Sequence, residues 1–419
     1  MAGLKGGWSR RSFVTAGAAA AASALGAWRF WPEQGIWNPC LGVLPPRLAG
    51  HELVRQAWEG IDPSQAWDAH AHLVGIGDTP SGIRINPRMR SVLHPREFGQ
   101  RVFFLNAGCA EVDGKSVDET YIERLRDLLA VFPAGAKAML YSFERTFDAK
   151  GEIDWSDTDF YVPDAYVRAT VQRFPDRFEW VASIHPYRPD AIQALEDAKR
   201  AGARAVKWLP SAMGIDPALE RCKPFYEALA RLDLPLISHA GLERAVAGVD
   251  NQDLGNPLKL RGALRAGVRV VVAHCASMGE DRDLDAGKGG GRVSSFELFA
   301  RLMREREFEG RLFGDISAIT QTRRAKIALG SLLRTPEWHP RLLNGSDYPL
   351  PGLMPIFSVD YLVSAGLIDA TAAPVLTEIR RHNVLLFDFV AKRLLRADGK
   401  RLPARVFETR GFFDTPRAA

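Results

Sequence analysis

The sequence predicts an α/β fold, a single (β/α)8 TIM barrel preceded by an N-terminal signal or anchor segment. Eight short apolar runs recur along the chain, and the stretches between them have the apolar periodicity of helices. Parallel strands need such crossover helices, and eight units of this kind close into a barrel. A chain of 419 residues is long enough for one barrel with extensions.

The apolar runs are predicted as strands at 66–72, 136–143, 178–186, 203–210, 234–241, 268–277, 312–319 and 341–349. Helical patterns such as "PDAIQALEDAKRAG" and "KPFYEALARLD" lie between them. The first run, "AWDAHAH", carries Asp68, His70 and His72 at alternate positions, and alternate side chains of a strand point to one face. These three residues are therefore predicted to share a face, either as solvated groups of an edge strand or as part of a metal site.

The N-terminus contains "SRRSFV" at residues 9–14, followed by the small-residue run "TAGAAAAASALGA". This pattern predicts a twin-arginine signal with Arg10 and Arg11 as the pair. The apolar run is short for a bilayer span, but its one well-formed cleavage pattern lies inside it, so an uncleaved anchor is an alternative. We expect export to the periplasm, or tethering to the periplasmic face of the inner membrane.

These patterns divide the chain into four segments. They are a signal or anchor at 1–27, a linker at 28–63, the barrel at 64–390 and a C-terminal extension at 391–419.

Charge and cysteine content limit the partners and the covalent chemistry. Residues 1–27 hold three of the 55 basic residues and no acid, which leaves 52 basic against 50 acidic residues in the remainder. This balance argues against a nucleic-acid surface, which needs a basic stripe in the folded part. Four cysteines lie far apart without a CxxC pair, which predicts neither a thiolate zinc site nor a disulfide framework. They are Cys40, Cys109, Cys222 and Cys275.

Polar residues recur at the carboxyl ends of the predicted strands, which meet at one mouth of a parallel barrel. They are His70, His72, His185, His239, His274 and Asp347. Three or four nitrogen and carboxylate ligands with an open position suit a catalytic divalent ion. The set therefore predicts a metal site, although any one of these histidines alone would more often be structural.

These residues resemble the amidohydrolase superfamily, in particular its amidohydrolase-related branch of TIM-barrel metal hydrolases, over residues 64–390. The resemblance rests on the HxH of strand one, "SHAG" on strand five, "AHCA" on strand six and "NGSDYP" on strand eight. It implies that His70, His72, His239 and Asp347 hold one divalent metal, most often zinc, with manganese or iron as alternatives. It also implies that Asp347 either ligates the metal or accepts a proton from its water, and that His274 contacts substrate or metal in a catalytic role.

Two further residues have open roles. Lys207 stands where some relatives carry a carbamylated lysine between two metals, and a single metal is the favoured alternative. His185, in "SIHP", is interpreted either as a substrate or supporting contact or as a buried core histidine.

The resemblance predicts a metal-dependent hydrolase of an amide, ester or lactone bond in a small molecule. Asp347 would take a proton from a metal-activated water, and His274 would polarise the carbonyl oxygen. One alternative is a decarboxylase or hydratase of a carboxylic acid on the same site, and another is a membrane-tethered barrel without activity.

The loop at 75–118 holds five arginines, which favours an anionic substrate if they face the mouth. The membrane is expected to contact only the N-terminal segment, and the oligomeric state is left open.

Overall fold

A computed structural model describes residues 35–414 of the chain. The predicted signal, with Arg10 and Arg11, lies outside these residues. Within 35–414, no helix combines the length and the apolar content that a membrane span requires.

Eight parallel strands follow one another along the chain with helices between them, in the order predicted for a (β/α)8 barrel. They are β1 Trp67–His72, β2 Lys137–Tyr141, β3 Phe178–Val181, β4 Val206–Trp208, β5 Leu236–His239, β6 Val270–Ala273, β7 Leu312–Asp315 and β8 Leu342–Leu343. Three pairs of short antiparallel strands lie in the loops: Arg84–Ile85 with Phe160–Tyr161, Thr146–Phe147 with Ile153–Asp154, and Glu280–Arg282 with Arg292–Ser294.

The helices pack outside the strands. The α-helices are Pro46–Ala49, Glu52–Trp58, Pro95–Ala107, Val117–Leu129, Asp164–Arg173, Ala191–Arg200, Pro210–Met213, Lys223–Arg231, Arg261–Arg265, Ser295–Arg304, Thr322–Arg324, Gly330–Arg334, Val359–Ser364, Ala373–His382, Val384–Leu394 and Arg410–Asp414. A π-helical turn, Ala325–Leu329, continues the helix Thr322–Arg324.

The strands form two hydrogen-bonded sheets, β1-β2-β3 and β8-β7-β6-β5-β4. The sheets meet at two seams, where the isolated parallel bridges Ala182↔Val206 and Ala71↔Tyr348 join them. The ring of strands is therefore in barrel order, but its ladder is not continuous. One reason lies at β8, where only two residues are extended and the backbone then turns through a positive φ of 64° at Asp347. The strand predicted over 341–349 is correspondingly too long.

The interior of the ring is filled by side chains from successive strands. This inner cluster comprises Trp67, Ala69, Met139, Tyr141, Val181, Ala205, Ile237, Val271, Leu343 and Phe413. Because Phe413 comes from the last helix, the C-terminal segment closes the end of the ring at which the strands begin. A larger cluster packs the outer strand faces against the helices.

β1 departs from the simple alternation that the sequence predicts. Its pairing with β2 shifts register between Asp68 and Ala71, which is the signature of a bulge. His70 and His72 line the mouth of the ring, whereas Asp68 lines a separate small cavity against the helix Val384–Leu394. The prediction that Asp68 shares their face was wrong, because the extra residue reverses the side-chain alternation at this point. Asp68 instead accepts hydrogen bonds from the backbone N–H groups of His70, at 3.1 Å, and Ser346, at 2.7 Å.

The described part of the predicted linker is folded onto the barrel. Its two helices, Pro46–Ala49 and Glu52–Trp58, precede β1, and the ring of Trp58 stacks on that of Phe389 with centroids 4.3 Å apart. The predicted barrel boundary at residue 390 falls inside the helix Val384–Leu394. Apolar side chains therefore continue the barrel packing beyond both predicted boundaries.

Cys40 and Cys109 form a disulfide, although the sequence spacing predicts none. The pair joins the segment before the barrel to the end of the helix Pro95–Ala107, across a sequence separation of 69 residues. Spacing rules detect local cysteine pairs, so a pairing made by tertiary packing escapes them. Cys222 and Cys275 are free and buried.

Candidate metal centre

Most of the predicted site residues meet in one cavity of about 860 Å³ at the carboxyl ends of the strands. Six of the predicted residues line this cavity: His70, His72, Lys207, His239, His274 and Asp347. They come from β1, β4, β5 and the turns after β6 and β8, which lie far apart in sequence. The parallel arrangement of the strands brings them together, as the sequence predicts.

The backbone is turned sharply where two of these side chains leave their strands. His274 and Asp347 have positive φ values of 55° and 64°, which L-residues adopt at an energetic cost of about 1 to 3 kcal/mol. Strain of this kind clusters at functional sites because it aims a side chain away from the strand direction. A Cβ on Gly345 would lie 2.6 Å from the Cβ of His70, so this glycine permits the close approach of the β8 turn to β1.

The carboxylate of Asp347 lies among three imidazoles. Its Oδ1 is 3.3 Å from Nε2 of His70 and 3.3 Å from Nε2 of His72, and these two nitrogens are 3.2 Å apart. Its Oδ2 faces Nε2 of His274 at 3.7 Å. Two ligands held at about 2.1 Å from one ion in tetrahedral geometry are about 3.4 Å apart, so these separations suit a shared cation.

The hydrogen bonds of His70 fix which ring nitrogen carries its proton. Nδ1 lies 2.9 Å from Oδ2 of Asp315, and because a carboxylate only accepts, Nδ1 donates. Burial, with the nearby Lys207 charge, holds the pKa of His70 well below its ordinary value, so the ring is neutral. A neutral ring protonated at Nδ1 directs the lone pair of Nε2 toward Asp347.

His239 has the same arrangement, and its ring centroid lies 5.3 Å from that of His274. Its Nδ1 lies 3.3 Å from Oε2 of Glu243, four residues along the chain, and both side chains are buried. Nε2 of His239 is buried and has no hydrogen-bond partner among the described residues. Burial lowers the pKa of His239, so its unpartnered nitrogen also carries a lone pair.

His274 completes the set of neutral imidazoles. Its Nδ1 lies 3.1 Å from the backbone oxygen of Ser317 and 2.7 Å from the Ser317 hydroxyl. A carbonyl oxygen only accepts, so Nδ1 donates and Nε2 is again the lone-pair nitrogen. Burial, with the charge of Arg324, holds the pKa of His274 well below its ordinary value.

Asp347 supplies negative charge at the centre of these nitrogens. Burial raises the pKa of its carboxyl, but the neighbouring His70 and His72 and the Arg324 guanidinium outweigh burial and lower it overall. Converging lone pairs, an ionised carboxylate and an unpartnered buried nitrogen form a donor set that fits a divalent ion. His70, His274 and Asp347 offer ligand atoms that all lie within 4.8 Å of one another.

The structure shows where His274 and Lys207 lie relative to the proposed metal ligands. His274 joins the same potential ligand group as His70, and its Nε2 has no proton with which to polarise a carbonyl oxygen. Lys207 is fully buried, and its Nζ lies 3.5 Å from Nε2 of His70. Burial lowers the pKa of Lys207 to about 8, so the amine beside the ligand cluster loses its proton more readily than an exposed lysine does.

His185 lies apart from the site. It does not line the cavity, and its Nε2 lies 2.9 Å from the backbone oxygen of Met213 while its Nδ1 accepts from the N–H of Tyr187. Burial lowers the pKa of His185 to about 3. The interpretation as a substrate contact is therefore wrong, and the alternative of a satisfied core histidine describes it.

Only two of the five arginines in the loop 75–118 line the cavity, and both face acidic partners. Arg96 pairs with Asp250 at 2.8 Å, and Arg101 lies 3.7 Å from Glu111. The buried guanidinium on the cavity wall belongs to Arg324, on the short helix after β7. The sequence predicts a substrate-binding positive charge in the loop 75–118. In the structure, the buried positive charge on the cavity wall comes from Arg324 instead.

Sequence reasoning missed four residues that shape the site. They are Glu243, Asp315, Ser317 and Arg324. Asp315 ends the observed strand β7, but the run predicted over 312–319 places it in the middle, so the strand-end rule did not select it. Glu243 follows His239 by four residues, but no sequence pattern distinguishes Arg324 from other arginines in helices.

A family model described as "Amidohydrolase" matches residues 67–365, which is more than half of the chain. A comparison with curated proteins finds no match.

Solved structures with a similar chain path share little sequence with this protein. An uncharacterised TIM-barrel protein from Bordetella bronchiseptica is 15% identical, with 75% of this chain and 98% of that chain covered and a TM-score of 0.45. A 5-carboxyvanillate decarboxylase from Novosphingobium aromaticivorans, which contains manganese, is 13% identical, with coverage of 78% and 99% and a TM-score of 0.40. A 4-oxalomesaconate hydratase from Rhodopseudomonas palustris is 14% identical, with coverage of 76% and 96% and a TM-score of 0.39.

Proposed function

This chain belongs to the amidohydrolase family, and from that premise we propose that it is a metal-dependent hydrolase of an amide, ester or lactone bond in a small molecule. One observation carries the proposal. Three imidazoles donate from Nδ1 to fixed acceptors, and their Nε2 lone pairs converge on the cavity that holds the ionised Asp347. Such a set of nitrogen and carboxylate donors suits a divalent cation.

The ion would be held by His70, His72, His239 and Asp347, with His274 as a further ligand. A bound divalent ion supplies a Lewis acid and lowers the pKa of a water from 15.7 to about 7. Zinc is the favoured occupant of this nitrogen and oxygen donor set, and manganese and iron are the alternatives.

The residues around the ion have separate tasks. Oδ1 of Asp347 lies between His70 and His72, whereas Oδ2 is farther from its nearest imidazole, at 3.7 Å from His274. Oδ2 is therefore the oxygen placed to take a proton from the attacking water and return it to the leaving group. A positioned base of this kind contributes about 10²- to 10⁴-fold in rate.

A panel of lactones, amides, esters and aromatic acids, offered to metal-loaded full-length protein, tests this function. With water enriched in ¹⁸O, hydrolysis by attack on the carbonyl carbon places one labelled oxygen in the product carboxylic acid. Cleavage of an amide, ester or lactone with incorporation of the label supports the proposal, and turnover without cleavage of such a bond contradicts it.

A second candidate is a decarboxylase or hydratase of a carboxylic acid on the same site. It is favoured by Arg324, whose buried guanidinium lines the cavity and would hold a carboxylate. The same labelled water separates the reactions. Decarboxylation releases CO2 and incorporates no label into the organic product, whereas hydration adds the label without breaking the chain of the substrate.

We also propose that the enzyme works outside the cytosol. The disulfide between Cys40 and Cys109 supports this location, because structural disulfides persist in oxidising compartments such as the periplasm. Export by the twin-arginine route would carry the protein folded.

A further inference from the structure

Arg324 is a buried cation without an ionic partner on the wall of the catalytic cavity. The residue is 5% exposed, and Nη1 donates one long hydrogen bond, 3.3 Å, to the hydroxyl of Ser277. Nε is buried and has no hydrogen-bond partner in the described part of the chain. Among residues 35–414, no carboxylate oxygen lies within 4.0 Å of its guanidinium nitrogens.

Such a group is expensive to bury. An arginine side chain stays protonated in proteins, so it cannot relieve the cost by losing its proton. Buried charges in folded proteins are paired or hydrogen-bonded, because an isolated ion in a low-dielectric site loses its hydration without compensation. The other arginines that line the cavity differ in this respect. Arg96 and Arg101 face Asp250 and Glu111, and Arg244 and Arg323 are exposed to solvent.

The carboxylates nearest to Arg324 lie beyond ion-pair distance, which leaves its guanidinium facing the cavity. Asp347, Glu243 and Asp315 attract it electrostatically from beyond ion-pair distance. Two of these carboxylates are engaged with the imidazoles of the metal centre, Glu243 with His239 and Asp315 with His70. The guanidinium is therefore left to face the cavity space next to the proposed reaction centre.

Much of the remaining cavity wall is apolar. Its wall includes Phe103, Phe104, Phe143, Phe160, Met278 and Leu353. A cavity of about 860 Å³ with such a wall takes a substrate that has a sizeable apolar body.

We propose that Arg324 binds a carboxylate of the substrate and that the enzyme selects amphipathic carboxylic acids, with the apolar body of the substrate against the aromatic wall. This inference rests on the proposed function, since it assigns a substrate class to the same site. The planar guanidinium offers a two-pronged donor that matches a carboxylate, which a lysine at this position would not reproduce.

Calorimetric titration of metal-loaded, full-length protein with 4-phenylbutyrate and its neutral analogue 4-phenylbutyramide tests the inference. Wild type should bind the carboxylate about 10-fold or more tighter than the amide, as expected for a desolvated charge pair. Arg324→Gln should abolish this preference and leave the affinity for the amide within about 3-fold. Arg324→Lys should reduce the preference only in part.

Arg96→Gln is the matched control, because this residue lines the cavity but already has Asp250 as its partner. Its titrations should resemble those of wild type. A carboxylate bound only by the metal would keep its preference in Arg324→Gln, and this result would overturn the inference.

Three other results would also overturn it: equal binding of both probes by wild type, no binding of either, or an equal loss of both affinities in Arg324→Gln. Thermal unfolding of the same variants checks for a purely structural role. An unpaired buried charge adds little stability, so Arg324→Gln and Arg324→Lys should melt near or above wild type. Unfolding of both variants would contradict the binding role.

Metal analysis of the same samples separates this inference from the proposed function. A preference lost in Arg324→Gln, in a protein that holds no metal, would support the anion site and remove the hydrolase. A metal-loaded hydrolase with no preference for the carboxylate would support the proposed function and overturn the anion site.

Discussion

Oε2 of Glu243 lies 3.3 Å from Nδ1 of His239, and the two side chains are buried together. Oδ2 of Asp315 stands in the same relation to Nδ1 of His70, at 2.9 Å. In both pairs a carboxylate fixes the ring orientation and leaves Nε2 directed into the cavity. Supporting carboxylates of this kind also raise the basicity of the imidazole toward a metal.

The first prediction concerns this support. Glu243→Gln should weaken metal affinity by about 10- to 100-fold, because the amide no longer stabilises the oriented imidazole. Competition with a chromogenic chelator measures the affinity. Glu144→Gln is the control, since Glu144 is a buried carboxylate paired with Arg188 and does not line the cavity. Equal metal affinities in wild type and Glu243→Gln would show that Glu243 has no positioning role.

A second prediction separates the base from the ligands. Asp347→Asn keeps the shape and a neutral oxygen but loses basicity, so kcat should fall about 10²-fold or more while metal content falls much less. Near-normal turnover in Asp347→Asn would rule out Asp347 as the base. His274, with its unprotonated Nε2, would then be the better candidate.

A third prediction concerns Lys207 and the number of ions. With a single ion, Lys207→Met should retain one ion per chain, because its amine is not a ligand. A carbamylated lysine would instead bind two ions in wild type, and the variant would lose at least one. Elemental analysis and intact-mass measurement, which detects the carbamate on native protein, distinguish the two arrangements.

The fourth prediction is export by the twin-arginine route. Replacing Arg10 and Arg11 by Lys should keep the protein in the cytoplasm, where Cys40 and Cys109 should remain reduced. Cell fractionation followed by thiol labelling measures both effects. Unchanged export of the variant would remove the proposed route without affecting the enzymatic proposal.

A fifth prediction concerns the disulfide itself. Cys40→Ser together with Cys109→Ser should lower the free energy of unfolding by about 2 to 4 kcal/mol, because the bridge restricts the unfolded chain. Denaturant titration under oxidising conditions measures the loss. Cys222→Ser is the control for the loss of a thiol, since Cys222 is free. Equal stability of the double variant and wild type would show that the bridge contributes nothing.

The sequence predicts the strand order and most of the site because apolar runs that end in polar residues are visible along the chain. His70, His239 and Asp347 were found in this way. The bulge that turns Asp68 outward was not, because strand alternation assumes regular pairing, and register is decided by the neighbouring strand. Arg324 and the Cys40–Cys109 pair depend on tertiary contacts between distant segments, for which the local sequence carries no signal.

His185 illustrates the opposite error. It follows a strand in the same way as the ligand histidines, but its ring turns into the packing around Met213 and Tyr187 instead of into the cavity. A position at the end of a strand identifies a histidine as a candidate ligand, but it does not determine whether the side chain points into the cavity. In His70, His239 and His274, by contrast, Nδ1 donates to an acceptor oxygen. This is the additional feature that the three histidines share.

The most direct test of the metal centre is the metal content of full-length protein prepared under metal-replete conditions and freed of loosely bound ions. Elemental analysis should find about one divalent ion per chain in wild type. In the double variant His70→Ala, His72→Ala it should find almost none, because two neutral nitrogen ligands are lost from one strand. Wild-type protein that retains no specific metal, or a double variant that retains all of it, would contradict the account.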